Sequence, residues 1–470
     1  LLTYQDFEKA KSRAEFLKRL IAEHEAGEMC RTARIADDYD ARRNTTISNF
    51  VRVLFMSDGR RVQDPTASNN RIASGFFPRL NTQRCAYSLG NGVTFTRTEV
   101  RTDEDGSEIT ADITKEQLGQ WFDTDLFRAA YKALIHGVSF GFWNVDRLHV
   151  FPVTEFAPLW DERTGVLRAG VRYYRLSADK PMTAVLYEED GYTRYETKDA
   201  SSDLLEAEAK RSYRETFSAA PADETPEVIA EENYGALPIV PLWGSRLHQS
   251  TLIGMREAID SYDLIRSGFA DDLNDCAQIY WLLENYGGMD NAELAQFRDR
   301  LKLQHIAVAD TSNGGKVQAY TQEVPYQARQ TFLDQLRQGI YEDFGGLNVS
   351  NISAAAQTAT QIDAAYQPLD ENADDFEWQI IDFVQQILAL MGIDDTPVFK
   401  RNRITNQMEQ VQMVVMEAPY LDDETILKKL PNITPDEVAA ILSAKDTASQ
   451  SRFVRSDSPE EPTEPEDGDI

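Results

Sequence analysis

The stretch TLIGMREAIDSYDLIRSGFADDLND at 251–275 decides how the rest of the chain is read. Leu252, Ile253, Met255, Ile259, Tyr262, Ile265, Phe269 and Leu273 recur along it at helical spacing with acids between them, which predicts an amphipathic helix. A second helix is expected downstream. There EVPYQARQTFLDQLRQGIYEDF at 323–344 repeats apolar side chains at Phe332, Leu336, Ile340 and Phe344, a four-residue period along about 30 Å of helix, and stops at Gly345-Gly346. Between them AQIYWLLEN, NAELAQFRDRLK, HIAVAD and GKVQAY spell a small α+β insert over 277–321, with turns at Gly287-Gly288 and Asn313-Gly314-Gly315. Two long helices bracketing such an insert make a stalk with a knob.

Past the second helix, GGLNVSNISAAAQTAT at 345–360 is polar and rich in small residues. It leads into another long helix carrying Ile362, Tyr366, Leu369, Phe376, Ile380, Phe383, Val384, Ile387 and Leu388. Pro368 falls inside it and predicts a kink, because proline lacks a backbone donor and clashes one turn back. Short helices are expected over 408–445, joined through Pro431 and Pro435, with Thr434 as an N-cap and Glu437 three residues on. The last residues, SDSPEEPTEPEDGDI at 456–470, are acidic and proline-rich, a composition that predicts disorder.

Upstream, 5–26 predicts one helix built on Phe7, Phe16, Leu17, Leu20 and Ile21. In NRIASGFFPRLNTQRCAYSLGNGVTF at 70–95, Pro78 suits the first turn of a helix and Gly90-Asn91-Gly92 stops it before a strand. WFDTDLFRAAYKALIH at 121–136 is helical, with Gly137 at the left-handed cap. Aromatic and β-branched runs from Val138 to about Thr197, broken by turns such as Asp190-Gly191, predict an antiparallel meander. Residues 198–233 lose periodicity and predict an acidic surface loop, after which ALPIVPLWGS at 236–245 is apolar again. The expected fold class is α+β, mainly helical.

With 470 residues, 42% of them hydrophobic, the chain can bury cores in two to four modules. Lysine and arginine total 48 against 78 aspartate and glutamate, a net charge of -30 that excludes a broad phosphate-binding surface. Cys30, Cys85 and Cys276 are odd in number and scattered, which fits reduced thiols in a cytosolic setting. No run reaches the roughly 18 apolar residues of a membrane span, and the first twenty residues carry charges throughout. The expectation is an intracellular protein without a membrane.

Catalytic signatures are sparse. His24, His136, His149, His248 and His305 show neither zinc-protease spacing nor tight pairing. Asp271, Asp272, Asn274 and Asp275 could supply oxygen ligands to Mg²⁺, but neighbours on a helix point around its circumference, and a solvated face is the expected reading. Asp103-Glu104-Asp105-Gly106 reads as a turn. Neither a phosphate-binding G-x-x-x-x-G-K-[ST] loop nor a G-x-S-x-G elbow occurs. No catalytic residue, cofactor or metal is assigned.

Taken in order, four segments resemble the siphovirus-type bacteriophage portal proteins across nearly the whole chain: 70–95, ALIHGVSFGFWNVDRLHVFPVTEFAPLWD at 133–161, 236–245 with GMREAIDSYDLIRSGFADDLNDCAQIYWLLENYGG at 254–288, and DTPVFKRNRITNQMEQVQMV at 395–414. The resemblance implies a homo-oligomeric ring, typically a dodecamer, with wing, stem, clip and crown regions. It places the wing at 1–245, stem helices at 250–276 and 323–344, the clip at 277–321, the tunnel loop with the start of its helix at 345–360, the kinked tunnel/wing helix at 361–391, the crown at 408–447, and an acidic tail at 448–470. The implied channel-lining residues are Leu347, Asn348, Val349, Ser350, Asn351, Ile352 and Ser353, with the kink at Pro368.

The implied role is DNA packaging and ejection at a capsid vertex, with assembly in the host cytoplasm. The implied partners are the terminase large subunit, the major capsid and scaffolding proteins, a head-tail adaptor, and double-stranded DNA passing through the channel. At -30 per chain a ring of twelve carries about -360 formal charges, so its walls repel phosphates and DNA slides. The competing readings are an oligomeric scaffold without a channel and a metal-dependent phosphodiesterase built on the aspartates around 271.

Overall fold

The computed structural model describes residues 2–56, 58–63, 68–102, 108–177, 179–198, 203–218, 228–276, 280–284, 290, 292–293, 295–296, 316–320, 326–349, 359–403, 414–430, 438, 441–442 and 445. Residues 1–351 with 366–402 form one unit, and 352–365 with 403–470 form a second.

Helices α1 (Tyr4–Lys9), α2 (Arg13–Ala26) and α3 (Glu28–Asp40) open the first unit, followed by the single turn α4 (Thr45–Ser48) and a hairpin of β1 (Val53–Phe55) and β2 (Arg61–Gln63). The one helix expected over 5–26 is two. The chain breaks at 10–12, where the Ser12 hydroxyl accepts from the Glu15 amide at 3.4 Å and caps α2. In α5 (Phe76–Leu89), Pro78 sits in the first turn, where its missing N–H has no intrahelical partner to lose. The helix ends at Gly90, and β3 (Val93–Phe95) follows.

The hairpin β4 (Thr98–Thr102) and β5 (Glu108–Asp112) and the short α6 (Ile113–Leu118) lead to α7 (Phe122–His136). The turn expected at 103–106 lies outside the described residues. Gly137 ends α7 with φ +91°, a conformation that disfavours any side chain.

The meander is two sheets. β6 (Val138–Asn144) and β7 (Arg147–Pro152) form the first; β8 (Phe156–Trp160), β9 (Leu167–Tyr174), β10 (Thr183–Glu188) and β11 (Gly191–Thr197) belong to the second. The stretch expected to be a loop at 198–233 instead contains β12 (Leu204–Arg211), β13 (Arg214–Phe217) and β14 (Val228–Glu232). β12 adds a fifth strand beside β11, and β13 pairs with β14. Apolar periodicity could not announce β12, because all its residues after Leu204 are exposed. What holds it is the ladder and charges across it: Glu208 lies opposite Arg194 and pairs with it at 3.0 Å, and Lys210 reaches Glu188 at 3.0 Å. β15 (Ile239–Trp243) then returns to pair with β6.

The two sheets enclose an aromatic layer of Phe140, Phe142, Phe151, Phe156, Tyr187 and Tyr213. On the outer face of the larger sheet, α2 lays down Phe16, Leu17, Leu20 and Ile21.

The remaining elements are α8 (Arg256–Cys276), β16 (Tyr280–Glu284), β17 (Lys316–Tyr320), α9 (Tyr326–Phe344), α10 (Ala359–Leu390), β18 (Pro397–Phe399) and α11 (Asp423–Lys429). Within the insert β16 and β17 pair antiparallel. α10 buries Phe376, Ile380, Phe383, Val384, Ile387 and Leu388 against α7 and the smaller sheet, each worth about 1.5–3 kcal/mol. Gly141 makes room for it, since a Cβ there would stand 2.4 Å from the Phe383 ring. β18 pairs with β3 and closes this core.

In the second unit, Asp422 caps α11 by accepting from the Thr425 amide at 3.1 Å, and Lys429 pairs with Glu417 at 2.8 Å. The cap expected at Thr434 and the acidic stretch at 456–470 lie outside the described residues.

Candidate functional site

Of the residues expected on a solvated face of α8, Asp271 is buried and Asp272 half-buried, whereas Asn274 is exposed. Asp263, Ser267 and Asp271 are buried, spaced four residues apart, and each takes one amide of the extended segment 70–74. The Ser74 amide donates to Asp263 Oδ1 at 2.9 Å, the Ile72 amide to Ser267 Oγ at 3.0 Å, and the Asn70 amide to Asp271 Oδ1 at 2.6 Å. The match is geometric. Four helical residues rise about 6 Å and two extended residues about 6.6–6.8 Å, so the two backbones stay in register over these three contacts while running in opposite directions. Asp260 continues the stripe, accepting from Asn44 at 2.9 Å, from Thr46 at 2.8 Å and from the Tyr39 hydroxyl.

These bonds also account for the proposed metal ligands. Asp271 receives the Asn70 amide, Asn70 Nδ2 at 2.8 Å and Arg52 at 3.2 Å, and Asp272 pairs with Arg329. Among the described residues no group of three histidine, cysteine, aspartate or glutamate side chains could hold a metal ion. Three of the described histidines are engaged in packing and hydrogen bonds. His136 is buried against Asp37 at 2.9 Å, His24 bonds the Val153 carbonyl at 2.7 Å, and His248 stacks on Trp243 with ring centroids 3.8 Å apart. No helix among the described residues is long and apolar enough to cross a membrane.

At the end of α9 the chain is clamped before it enters the 345–360 segment. Gly345 turns with φ +63°, the Gly346 amide returns to the Tyr341 carbonyl at 2.8 Å, and a Cβ on Gly345 would meet Asn372 Nδ2 at 1.9 Å. Asn372 on α10 and Arg84 on α5 both donate to the Phe344 carbonyl, at 3.0 and 3.2 Å. Burial pulls the Arg84 guanidinium down to about 10, and it lies over the Phe344 ring at 4.6 Å. Gln83 then grips Leu347 from both sides: its Oε1 accepts the Leu347 amide at 2.9 Å and its Nε2 donates to the Leu347 carbonyl at 3.0 Å.

Of the seven expected channel residues, Leu347 is therefore buried and pinned, Asn348 is half-buried and Val349 is exposed. Ser350, Asn351, Ile352 and Ser353 lie outside the described residues. On the other side of the segment α10 runs through Pro368, and the first unit takes up this helix again at Tyr366. Pro368 has no N–H for the carbonyl four residues back, so the helix loses a backbone bond there.

One turn later Arg401 gathers the acids of α10. It bonds Asp370 at 3.1 Å, Glu377 at 2.8 and 3.0 Å, and Asp374, and these bonds, led by Glu377, raise its pKa. Asp370 also accepts from the Tyr87 hydroxyl at 2.6 Å. Gln83, Arg84 and Arg401 are absent from the sequence-derived site, and periodicity holds no signal for them because their partners lie on other elements.

The family profile described as "Phage portal protein, SPP1 Gp6-like" matches residues 5–451. The chain belongs to this phage portal family. Members are structural proteins of the phage capsid. The portal protein of Bacillus phage SPP1 is 24% identical over 464 residues, covering 92% of this chain and 86% of the relative. That of Clostridium phage phiCD119 is 24% identical over 238 residues, 49% of this chain and 53% of the relative, so the match spans about half of that protein's length.

Proposed function

We propose that the chain is one subunit of a ring, a dodecamer, set at one capsid vertex, through whose central channel double-stranded DNA enters during packaging and leaves at ejection. The observation that carries this reading is membership of the portal family over 5–451. The far halves of α8 and α9 support the ring. There Leu264, Leu273, Tyr326 and Phe332 are 42–56% exposed, a density of large apolar side chains that neighbouring copies would cover.

In this reading residues 1–245 with part of α10 are the wing, 250–276 and 323–344 the stem, and 408–447 the crown. The insert at 277–321 is the clip, which receives the terminase large subunit and later a head-tail adaptor. The major capsid and scaffolding proteins are the other partners. Movement is passive: the terminase supplies the work, and a chain of net charge -30 repels phosphates instead of gripping them. The Gln83 clamp favours Leu347 as the fixed root of the tunnel loop and Asn348–Ser353 as the part that meets DNA, with the bend of the following helix at Pro368.

Negative-stain images of the purified full chain test the ring: particles with a central hole and a countable set of subunits are expected, and particles without a hole would favour the scaffold. Lysines placed together at Asn348, Ser350 and Asn351 should slow packaging or leave DNA stuck. An unchanged packaging rate and yield would remove the loop from the DNA path.

A further inference from the structure

A cavity of about 610 Å³ opens at the start of α5, and three arginines, Arg42, Arg79 and Arg266, are among the residues that line it. In a chain of net charge -30 this is unusual, and the three are not neutralised in the ordinary way. Among the described residues Arg42 and Arg79 have no ion-pair partner. Arg266 feels the Asp263 carboxylate, but Asp263 is buried and committed to Asn44 at 2.9 Å and to the Ser74 amide.

Arg42 is held in place at a cost. It follows the C-cap of α3 with φ +57°, where glycine is the usual residue, and its guanidinium lies so close to Gly75 that a Cβ there would stand 3.2 Å from Arg42 Nε. Two further donors face the same space. Ser74 lines the cavity; its Oγ is shielded from bulk solvent and makes no hydrogen bond of ordinary geometry, although it lies near enough to the Asp263 carboxylate to favour its charged form. α5, fourteen residues long, opens on Gly75 without a side-chain cap, so its first amides have no side-chain acceptor.

Guanidinium forks, a hydroxyl and helix N-terminal amides make a donor set suited to a tetrahedral oxyanion. From this arrangement we propose that the cavity beside α5 binds a phosphate group, carried by a nucleic-acid backbone or present as free phosphate. A single pocket of this kind is compatible with an otherwise phosphate-repelling surface, because its charges act within the Debye length of about 8–10 Å. The proposal does not depend on ring assembly, and its failure would leave the channel reading intact.

The test titrates the full chain with inorganic phosphate and, separately, with a 20-base-pair duplex, across a range of salt concentrations. Arg79→Ala/Arg266→Ala should weaken binding of the true ligand at least tenfold, Ser74→Ala by a few-fold, and the distant Arg175→Ala not at all. If the source is DNA, the double variant also lowers the slope of log affinity against log salt by about 0.9, one lost phosphate contact. Binding of phosphate alone, lost in the double variant, assigns the site to the free ion. Wild-type protein that binds neither probe, or a folded double variant that binds like wild type, overturns the proposal. Arg79 is exposed on a helix surface, so Arg79→Ala alone keeps the test decisive if the double variant fails to fold.

Discussion

Asp271→Ala should unfasten residues 70–74 from α8 while leaving the rest of the first unit in place. Oδ1 of Asp271 accepts both the Asn70 amide, at 2.6 Å, and Asn70 Nδ2, at 2.8 Å, and Oδ2 faces Arg52 at 3.2 Å. Hydrogen bonds to a charged group contribute about 1.5–3 kcal/mol each. The Arg52 guanidinium is partly exposed and rehydrates when released, so that contact adds at most about 1 kcal/mol. The Asn70 groups also recover some hydration, which brings the loss to about 2–4 kcal/mol in all. At about 1.4 kcal/mol per tenfold, local opening of the segment rises roughly 30- to 1000-fold.

Hydrogen exchange of the amides at 70–74, read by mass spectrometry on the full chain, measures that opening directly. Asp271→Asn provides the graded control. Its amide oxygen can still face Asn70, but the two bonds lose their charge assistance along with the Arg52 contact, so opening rises by less than in the alanine variant. Protection at 70–74 that changes by less than about threefold in the alanine variant, or equally in both variants, would refute the zipper.

The turn out of α9 and the floor of β3 give two further tests. Gly345→Ala should destabilise the first unit by about 1–3 kcal/mol, from the left-handed φ and the approach to Asn372. Added Asn372→Ala relieves the clash, so the pair should cost less than the sum of the single changes in chemical denaturation, and strict additivity would rule out the contact. For Asp395, burial pushes the carboxyl up, but bonds from Thr114, Thr96 and the Thr396 and Arg97 amides outweigh it and bring it to about 2. A carboxyl depressed on folding stabilises above its unfolded value near 4 and loses that contribution as pH falls toward 2. Asp395→Asn should therefore cost at most about 2 kcal/mol in urea unfolding at pH 7 and less at pH 3, and an equal gap at both would contradict this account.

The sequence by itself determined the elements whose signal is local. α7 and α10 bury an apolar stripe, and α9 buries the end of one from Ile340 to Phe344; a helix writes such a stripe at three- and four-residue spacing wherever it lies in the chain. Gly137, Gly345 and the Asp190-Gly191 turn were equally legible, because a backbone reversal constrains the residue that makes it. The family order, too, stood in four collinear segments.

Tertiary structure alone decided the rest. β12 is exposed along its length after Leu204 and becomes a strand because β11 offers a ladder and Arg194 a partner. Asp263, Ser267 and Asp271 resemble any wet helix face until residues 70–74, about 190–200 positions away, bring amides to them. Leu347 is drawn out of the candidate loop by Gln83, and Arg42, Arg79 and Arg266 line one cavity only because α3, α5 and α8 pack together. Apolar burial follows a local period, whereas polar partners are chosen by the fold, so the sequence showed which segments become helices and strands and left their polar contacts to be decided in three dimensions.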